Sequence, residues 1–290
     1  MNGLRNNYRS TMPLTERMLK DLRSALGDSI RFIRNGGKLP AIVVWPDYPS
    51  KKTTIHKIAA QLRYRLTNAL PPNPAVVLYF EDQTTGDASS LRQHYPDAHI
   101  LNERCTDISK ERTDAAHHDV FGYSTIIDPL TYSGDAVEKS SENALHDGHI
   151  VRCPLTRREP GKIYQLVIDN QHDATTVVDF RVPVIGDAIP HVYKKFKRNE
   201  VRFTNQVSYS ELHTTVSCLS AEEQHALVRF ARAMGADFCE LDVLRHRGDG
   251  RIYVVDLNKT PYGPPAGLSA GDRGQAIQRL TAAFCELFNS

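Results

Sequence analysis

Two acidic residues and an asparagine near the end of the chain have types and a spacing that suit a hard metal ion. They lie in FCELDVLRHRGDGRIYVVDLNKTPYGPP, Phe238–Pro265. A Gly/Asp turn divides this stretch into two strand-like runs. A hairpin centred on Asp249 sets Asp242 directly opposite Asp256. Asn258, two residues further on, projects from the same face. Opposed side chains have Cβ atoms roughly 4.5–5.5 Å apart, and like charges there repel. The pairing makes sense when a divalent cation sits on that face. Oxygen-only ligands suit Mg²⁺, which keeps waters and shares substrate phosphates. The alternative is a polar edge hairpin facing solvent. Against it, the alternation groups Ile252 and Val254 with the acids, as if these stood at one end of a covered surface.

The stretch resembles the metal-binding end of the ATP-grasp fold, where an acid on one strand and an acid-x-Asn on the next hold Mg²⁺. The resemblance implies that Asp242, Asp256 and Asn258 hold Mg²⁺ under the phosphates of ATP, with Leu257 also at the nucleotide. Lys259-Thr260-Pro261-Tyr262-Gly263 looks like the loop that usually follows. One position departs from the pattern. The family commonly has an arginine two residues before the first metal acid, and here that place is Glu240. Glu240 is then either a substitute ligand or a residue facing the substrate.

The segment DFRVPVIGDAIPHVYKKFKR, Asp179–Arg198, predicts a second hairpin. A Gly186-Asp187 turn pairs Val182 with His191 and Asp179 with Lys194. On that register Phe180, Val182, Val184, Ile189 and Tyr193 form a core face. The other face carries Asp179, Arg181, Lys194 and, just beyond, Arg198. This resembles the ATP-grasp D-x-R strand and the cationic strand after it. The resemblance implies that Lys194 and Arg198 face the phosphates and that Arg181 faces a substrate or acyl-phosphate oxygen. Phosphoryl transfer concentrates negative charge that cations must neutralise. A slip of one residue exchanges Lys194 for Lys195, and the sequence leaves both open. An amphipathic surface hairpin with snorkelling lysines is the other reading.

DAVEKSSENALHDGHIV, Asp135–Val151, resembles the family's strand lysine and the loop that closes over the triphosphate. It implies Lys139 at the α- and β-phosphates. The loop Ser140–Gly148 would supply backbone N–H groups, with Ser140, Ser141, Asn143 and His146 as side-chain candidates. Its single glycine, Gly148, departs from the glycine-rich pattern. KIYQLVIDN, Lys162–Asn170, resembles the linking strand whose backbone recognises adenine. The implied contacts are Gln165, Leu166, Val167 and Ile168, with Asn170 reaching the ribose. The bare residues equally describe a core strand. In VRFTNQ, Arg202 and Asn205 fall where family members bind the acceptor or the transferred group. Arg202 joins Arg181 as a candidate catalytic residue.

These groups need a scaffold. Residues 1–121 alternate helices and strands, which implies a parallel α/β layer. Apolar positions from Met18 to Ile33 predict a first helix, stopped by Gly36 and Gly37. AIVVW predicts a buried strand, followed by a helix from Thr54 to Leu70. The strands AVVLYF and HILN come next, then a helix through SKERTDAAHHDVF. The loop Pro46–Thr54 is either an anion site before a helix N-terminus or a solvated turn. Residues 122–290 are strand-dominated, with a first subdomain over 122–170 and a second over 171–290. Ser220 and Glu223 form a capping box for a helix ending before Gly235, and a last helix spans Arg273 to Phe288. The expected class is α/β plus α+β, an ATP-grasp fold behind an N-terminal parallel α/β domain.

Composition bounds the partners. The 290 residues carry 36 Lys+Arg against 34 Asp+Glu, a net charge of +2. This argues against nucleic acid or an acidic membrane surface as a partner. Five dispersed cysteines lack zinc-ligand or disulfide spacing, which fits a reducing compartment. The N-terminus has no apolar signal region, so the expected location is the cytoplasm. The absence of GxSxG and GxGxxG removes the usual support for a hydrolase or a dinucleotide enzyme. The resemblance implies an ATP- and Mg²⁺-dependent ligase. It would activate a small-molecule or peptide carboxylate as an acylphosphate for attack by an amine or another nucleophile. A small-molecule kinase on the same scaffold and a catalytically silent nucleotide-binding protein stay open. So does a homodimer.

Overall fold

The structure is a computed structural model and describes residues 39–141 and 147–287. The expected first helix lies outside them, as do Asn143 and His146 of the expected phosphate loop.

The AIVVW run becomes β1 (Ala41–Pro46), the centre of a four-stranded sheet in the order β2-β1-β3-β4. Here β2 is Arg65–Thr67, β3 is Val76–Phe80 and β4 is Ile100–Leu101, and all pairings are parallel. Ile42 and Val44 enter one core while Val43 enters another on the opposite face. A parallel strand buried on both faces reads as an unbroken apolar run. Helix α1 (Thr54–Leu62) stops well short of Leu70. Arg63 turns left-handed at φ 60, and Arg65 to Thr67 instead pair with Ala41 to Val43. Sheet pairing here overrides helical propensity. The short helix α2 (Ser89–His94) carries no strong sequence signal. Helix α3 (Lys110–Phe121) begins at Ser109, whose hydroxyl accepts from the Arg112 N–H.

A three-stranded antiparallel sheet follows, ordered β6-β5-β7, with β5 at Gly134–Ser140, β6 at His149–Cys153 and β7 at Lys162–Leu166. The run STIID before it makes only an isolated bridge, Ile126 to Gln165.

The last sheet is five-stranded and antiparallel, ordered β10-β9-β8-β11-β12. It comprises β8 (Thr176–Ile185), β9 (Val192–Arg198), β10 (Tyr209–His213), β11 (Phe238–Arg245) and β12 (Ile252–Asn258). One face packs Val182, Val184, Leu241 and Val254 against helix α4 (Ala221–Ala233) through Leu227 and Phe230, and against α3 through Ala116. The capping box of α4 forms as expected. Helix α5 (Ala270–Glu286) sends Leu280 and Phe284 into the same core as Ile42, Ile55 and Phe238. It thereby ties the parallel sheet to β11. Asn102 reinforces that junction. Its buried Nδ2 donates to the Phe238 carbonyl at 2.7 Å, and its Oδ1 accepts from the Asp237 and Phe238 N–H groups at 2.8 Å.

Two single-residue irregularities set which side chains share a face. The Gly186-Asp187 turn forms, with Ile185 and Ala188 exchanging backbone hydrogen bonds. Beyond it, however, Asp179 pairs with Lys195 and Arg181 with Tyr193. One extra residue is accommodated between Ala188 and Val192, around Pro190. A proline has no N–H for a ladder, so the strand resumes one residue later. This corrects the Asp179–Lys194 and Val182–His191 pairings. On the other hairpin Asp242 does oppose Asp256, but Val243 pairs with Val254. Val255 is the extra residue of that bulge. Ile252 and Val254 therefore enter the core with Leu257 rather than accompanying the acids.

Candidate active site

The face of the five-stranded sheet opposite that core meets the three-stranded sheet across a cleft. Its walls come from α3 (Lys110), β5 (Val137, Lys139, Ser140) and the segment leaving β7 (Gln165, Leu166, Ile168, Asn170). The floor is Asp179, Lys195 and Lys197 with Asp242, Leu244, Val255 and Asp256, and Arg202 to Asn205 close one side.

Charges in the cleft are paired across elements. Asp242 accepts from Arg181 through two nitrogens, at 3.1 and 3.2 Å, and from Lys195 Nζ at 2.8 Å. Lys110 Nζ lies 2.7 Å from Asp256 Oδ1, and Lys197 Nζ lies 2.8 Å from Asp179 Oδ2. Burial pushes Asp242 toward its neutral form, but Arg181 and Lys195 together outweigh this and hold it well below the usual carboxylate range. Lys195 is only 5% exposed, and burial lowers its pKa against the pull of Asp242. Lys139 is lowered to about 8, first by burial and then by Lys110, with Asp256 and Asp242 opposing.

The segment leaving β7 is held by its own network. Gln165 Nε2 donates to Thr125 Oγ1 at 2.7 Å. Asn170 Nδ2 donates to the Val178 carbonyl at 3.0 Å and to Asp179 Oδ1 at 2.8 Å. Arg202 Nη2 donates to the Ile168 carbonyl and to Asn170 Oδ1, both at 2.9 Å.

No family model matches the chain, and no curated protein matches its sequence. Solved structures do match. ATP-grasp ligase PsnB complexed with minimal precursor, Mg and ADP superposes with a TM-score of 0.57 at 16% identity, covering 87% of this chain and 100% of that one. PsnB with precursor peptide PsnA2 and AMPPNP gives 0.54 at 16% identity, over 85% and 98%. D-alanine–D-alanine ligase from Bacillus anthracis gives 0.54 at 12% identity, over 87% and 97%. The chain has the ATP-grasp fold. At these identities the likeness concerns the path of the chain, so its side chains must be judged on their own placement.

Within this ATP-grasp fold the cleft gathers Lys139, Gln165, Leu166, Ile168, Asn170, Arg202, Asp242 and Asp256 from the sequence-derived set. Arg181 stands beside it, gripping Asp242. Val167 does not line the cleft. Leu257 is a correction. It lies between Asp256 and Asn258, so strand alternation turns it into the hydrophobic core with Leu241 and Val254. Lys194 and Arg198 are corrected by the Pro190 shift. Lys194 lies over the Phe180 ring, 5.8 Å from its centroid, and Arg198 pairs with Glu200 at the surface. Lys195 and Lys197 take the places facing the acids. Sequence reasoning missed Lys197 and Lys110. The signal for Lys110 was its position at the start of a capped helix, which acquires meaning only once that helix is known to abut β12.

The donor set fits Mg²⁺ in part. Two opposed carboxylates are the usual protein contribution for an ion that also takes phosphate and water oxygens. Asn258 Oδ1 instead accepts from the Thr260 N–H at 2.9 Å and its hydroxyl at 3.2 Å. Among the described residues no three acidic, histidine or cysteine side chains converge.

Proposed function

We propose that the chain is an ATP- and Mg²⁺-dependent ligase that activates a carboxylate as an acylphosphate for attack by an amine or another nucleophile. The observation that carries this reading is the convergence of Lys110, Lys139, Lys195 and Lys197 on Asp242, Asp256 and Asp179 in one cleft. Such a set suits a compact polyanion accompanied by a divalent ion. The likeness to PsnB and to D-alanine–D-alanine ligase, both ligases by name, supports the reaction type.

In this reading Asp242 and Asp256, with Asn258 once released from Thr260, hold Mg²⁺. When bound, the ion would supply positive charge to neutralise the phosphates. Lys110, Lys195 and Lys197 bind the triphosphate by exchanging their carboxylate partners for phosphate oxygens, and Lys139 faces it from β5. Gln165, Leu166 and Ile168 face the base, and Asn170 the ribose. Arg202 is placed by its hold on the Ile168 carbonyl to fix that wall. Arg181 stands behind Asp242 and stabilises the acylphosphate oxygens. No side chain needs to form a covalent bond, because positioning and electrostatic stabilisation carry phosphoryl transfer. The test is incubation with Mg·ATP and pools of carboxylates and amines, with ADP and phosphate followed. ADP and free phosphate that require both substrate classes support the ligase. A stable phosphorylated product, or tight binding without turnover, refutes it.

A further inference from the structure

A second polar cluster lies on the same sheet face, one pleat from Asp242, and the cleft does not include it. Glu240 pairs with Pro183 on one side and Asn258 on the other, so it shares a face with Asp242, Arg181 and Tyr193. Glu240 is 1% exposed, and neither carboxylate oxygen has a hydrogen-bond partner. The Thr54 hydroxyl, at the start of α1, and the Tyr193 hydroxyl are likewise buried without partners. A Cβ at Gly263 would stand 2.9 Å from Thr54 Oγ1 and 3.0 Å from Glu240 Oε1, so both oxygens converge on one point beside the glycine.

A buried polar group left without a partner is costly, more so when it is charged. Together these groups form an unfilled demand for a ligand, and the remaining hydrogen-bonding capacity shows which kind. Arg181 reaches Glu240 only at 3.7 Å, and two of its nitrogens are committed to Asp242. Lys57 Nζ donates to the Gly263 and Lys52 carbonyls. The cations nearby are thus engaged, while acceptors are left over. A primary ammonium has three N–H donors and no acceptor, which matches a buried carboxylate oxygen converging with the Thr54 hydroxyl, with the Tyr193 hydroxyl also unpartnered on the same sheet face. A carboxylate ligand would meet Glu240 as a like charge.

We propose that Glu240, Thr54 and Tyr193 form the subsite for a primary ammonium group on the co-substrate, with the Thr260–Pro264 loop, which carries Gly263, lifting to admit it. This deepens the ligase reading and rests on it, since the cluster adjoins the reacting end of the cleft through Arg181.

The experiment uses the full chain saturated with Mg²⁺ and a non-hydrolysable ATP analogue. Propylammonium chloride and sodium propionate are titrated separately by ligand-observed NMR. The wild type is expected to bind propylammonium at least tenfold more tightly than propionate. Glu240→Gln, nearly the same shape, is expected to lose that tenfold preference, because a neutral amide offers the ammonium no charge-assisted hydrogen bond. Thr54→Val is expected to weaken propylammonium several-fold, and it carries the test should Glu240→Gln fail to fold. Equal binding of the two probes by the wild type, or unchanged propylammonium binding in both variants, overturns the inference. Nucleotide binding is measured first on the same sample. Its absence overturns the ligase reading itself, whereas nucleotide binding without ammonium preference overturns only the subsite.

Discussion

Replacing Lys195 by methionine and, separately, Lys194 by methionine should affect nucleotide binding very differently. The two residues are chain neighbours of the same type, so composition cannot distinguish them. Lys195 Nζ sits 2.8 Å from Asp242 inside the cleft, and Lys194 lies over the Phe180 ring on the opposite face. A charge-assisted hydrogen bond to phosphate contributes about 1.5–3 kcal/mol. At about 1.4 kcal/mol per factor of ten, Lys195→Met should raise the Kd for Mg·ATP roughly 10- to 100-fold. Lys194→Met gives up a cation–π contact of about 0.5–1 kcal/mol, which stabilises the fold and not the nucleotide, so its Kd should stay within about twofold. Arg181 keeps hold of Asp242 in both variants, so neither leaves that carboxylate alone. Calorimetric titration with Mg·ATP, beside a thermal melt of each variant, reads both terms. Equal losses, or a larger loss for Lys194, would refute the register and the phosphate-facing role built on it.

Asp256→Asn removes a proposed metal ligand and the carboxylate charge that pairs with the nearly buried Lys110. The ratio of ATP affinities with Mg²⁺ and with EDTA should fall about tenfold or more toward unity, and an unchanged ratio would exclude this metal site. Lys139 is cationic below its pKa of about 8 and neutral above it. Mg·ATP affinity of the free protein should therefore decline as pH rises through 8, and Lys139→Arg should flatten that decline. Asn102→Ala would strip partners from the buried Phe238 N–H and carbonyl and from the Asp237 N–H. It would also put alanine at a φ of 60, which asparagine tolerates better. Urea denaturation should show a loss of about 3 kcal/mol or more; a loss below about 1 kcal/mol would argue against the Asn102 junction.

How much was legible in the residues depended on whether a feature was local. The opposition of Asp242 and Asp256 is what counting back from a turn centred on Asp249 predicts, but the ladder beside the turn, with Arg245 opposite Ile252, is offset by one residue, and the bulge at Val255 restores the opposition. The capping box at Ser220 is equally local. The Gly186-Asp187 turn was readable too, but its register was lost three residues later, where Pro190 interrupts the ladder. Parity arguments fail at any residue that drops out of pairing, and the failure carries to every side chain beyond it. That is why Lys195 and Lys197 replaced Lys194 and Arg198. The contribution of Lys110 depends on a helix packing against a strand more than a hundred residues away, and no pattern within the helix encodes that contact. Glu240 was conspicuous by residue type. Its isolation from hydrogen-bond partners emerged only with the surrounding elements in place.

The pairing of the cleft's lysines with its own carboxylates has a consequence for selectivity. A groove of bare lysines works like an ion-exchange resin and takes up any chain of phosphates, with an affinity that collapses as salt rises. Here an incoming anion must displace a carboxylate from each of Lys110, Lys195 and Lys197. Displacement is favourable only for a ligand that brings its own countercharge for the released acids, as a metal-chelated triphosphate does. Free polyanions lack that compensation. On the proposed ligase reading the cleft would admit its ligand by partner exchange, and its affinity should vary little with ionic strength and steeply with the divalent ion.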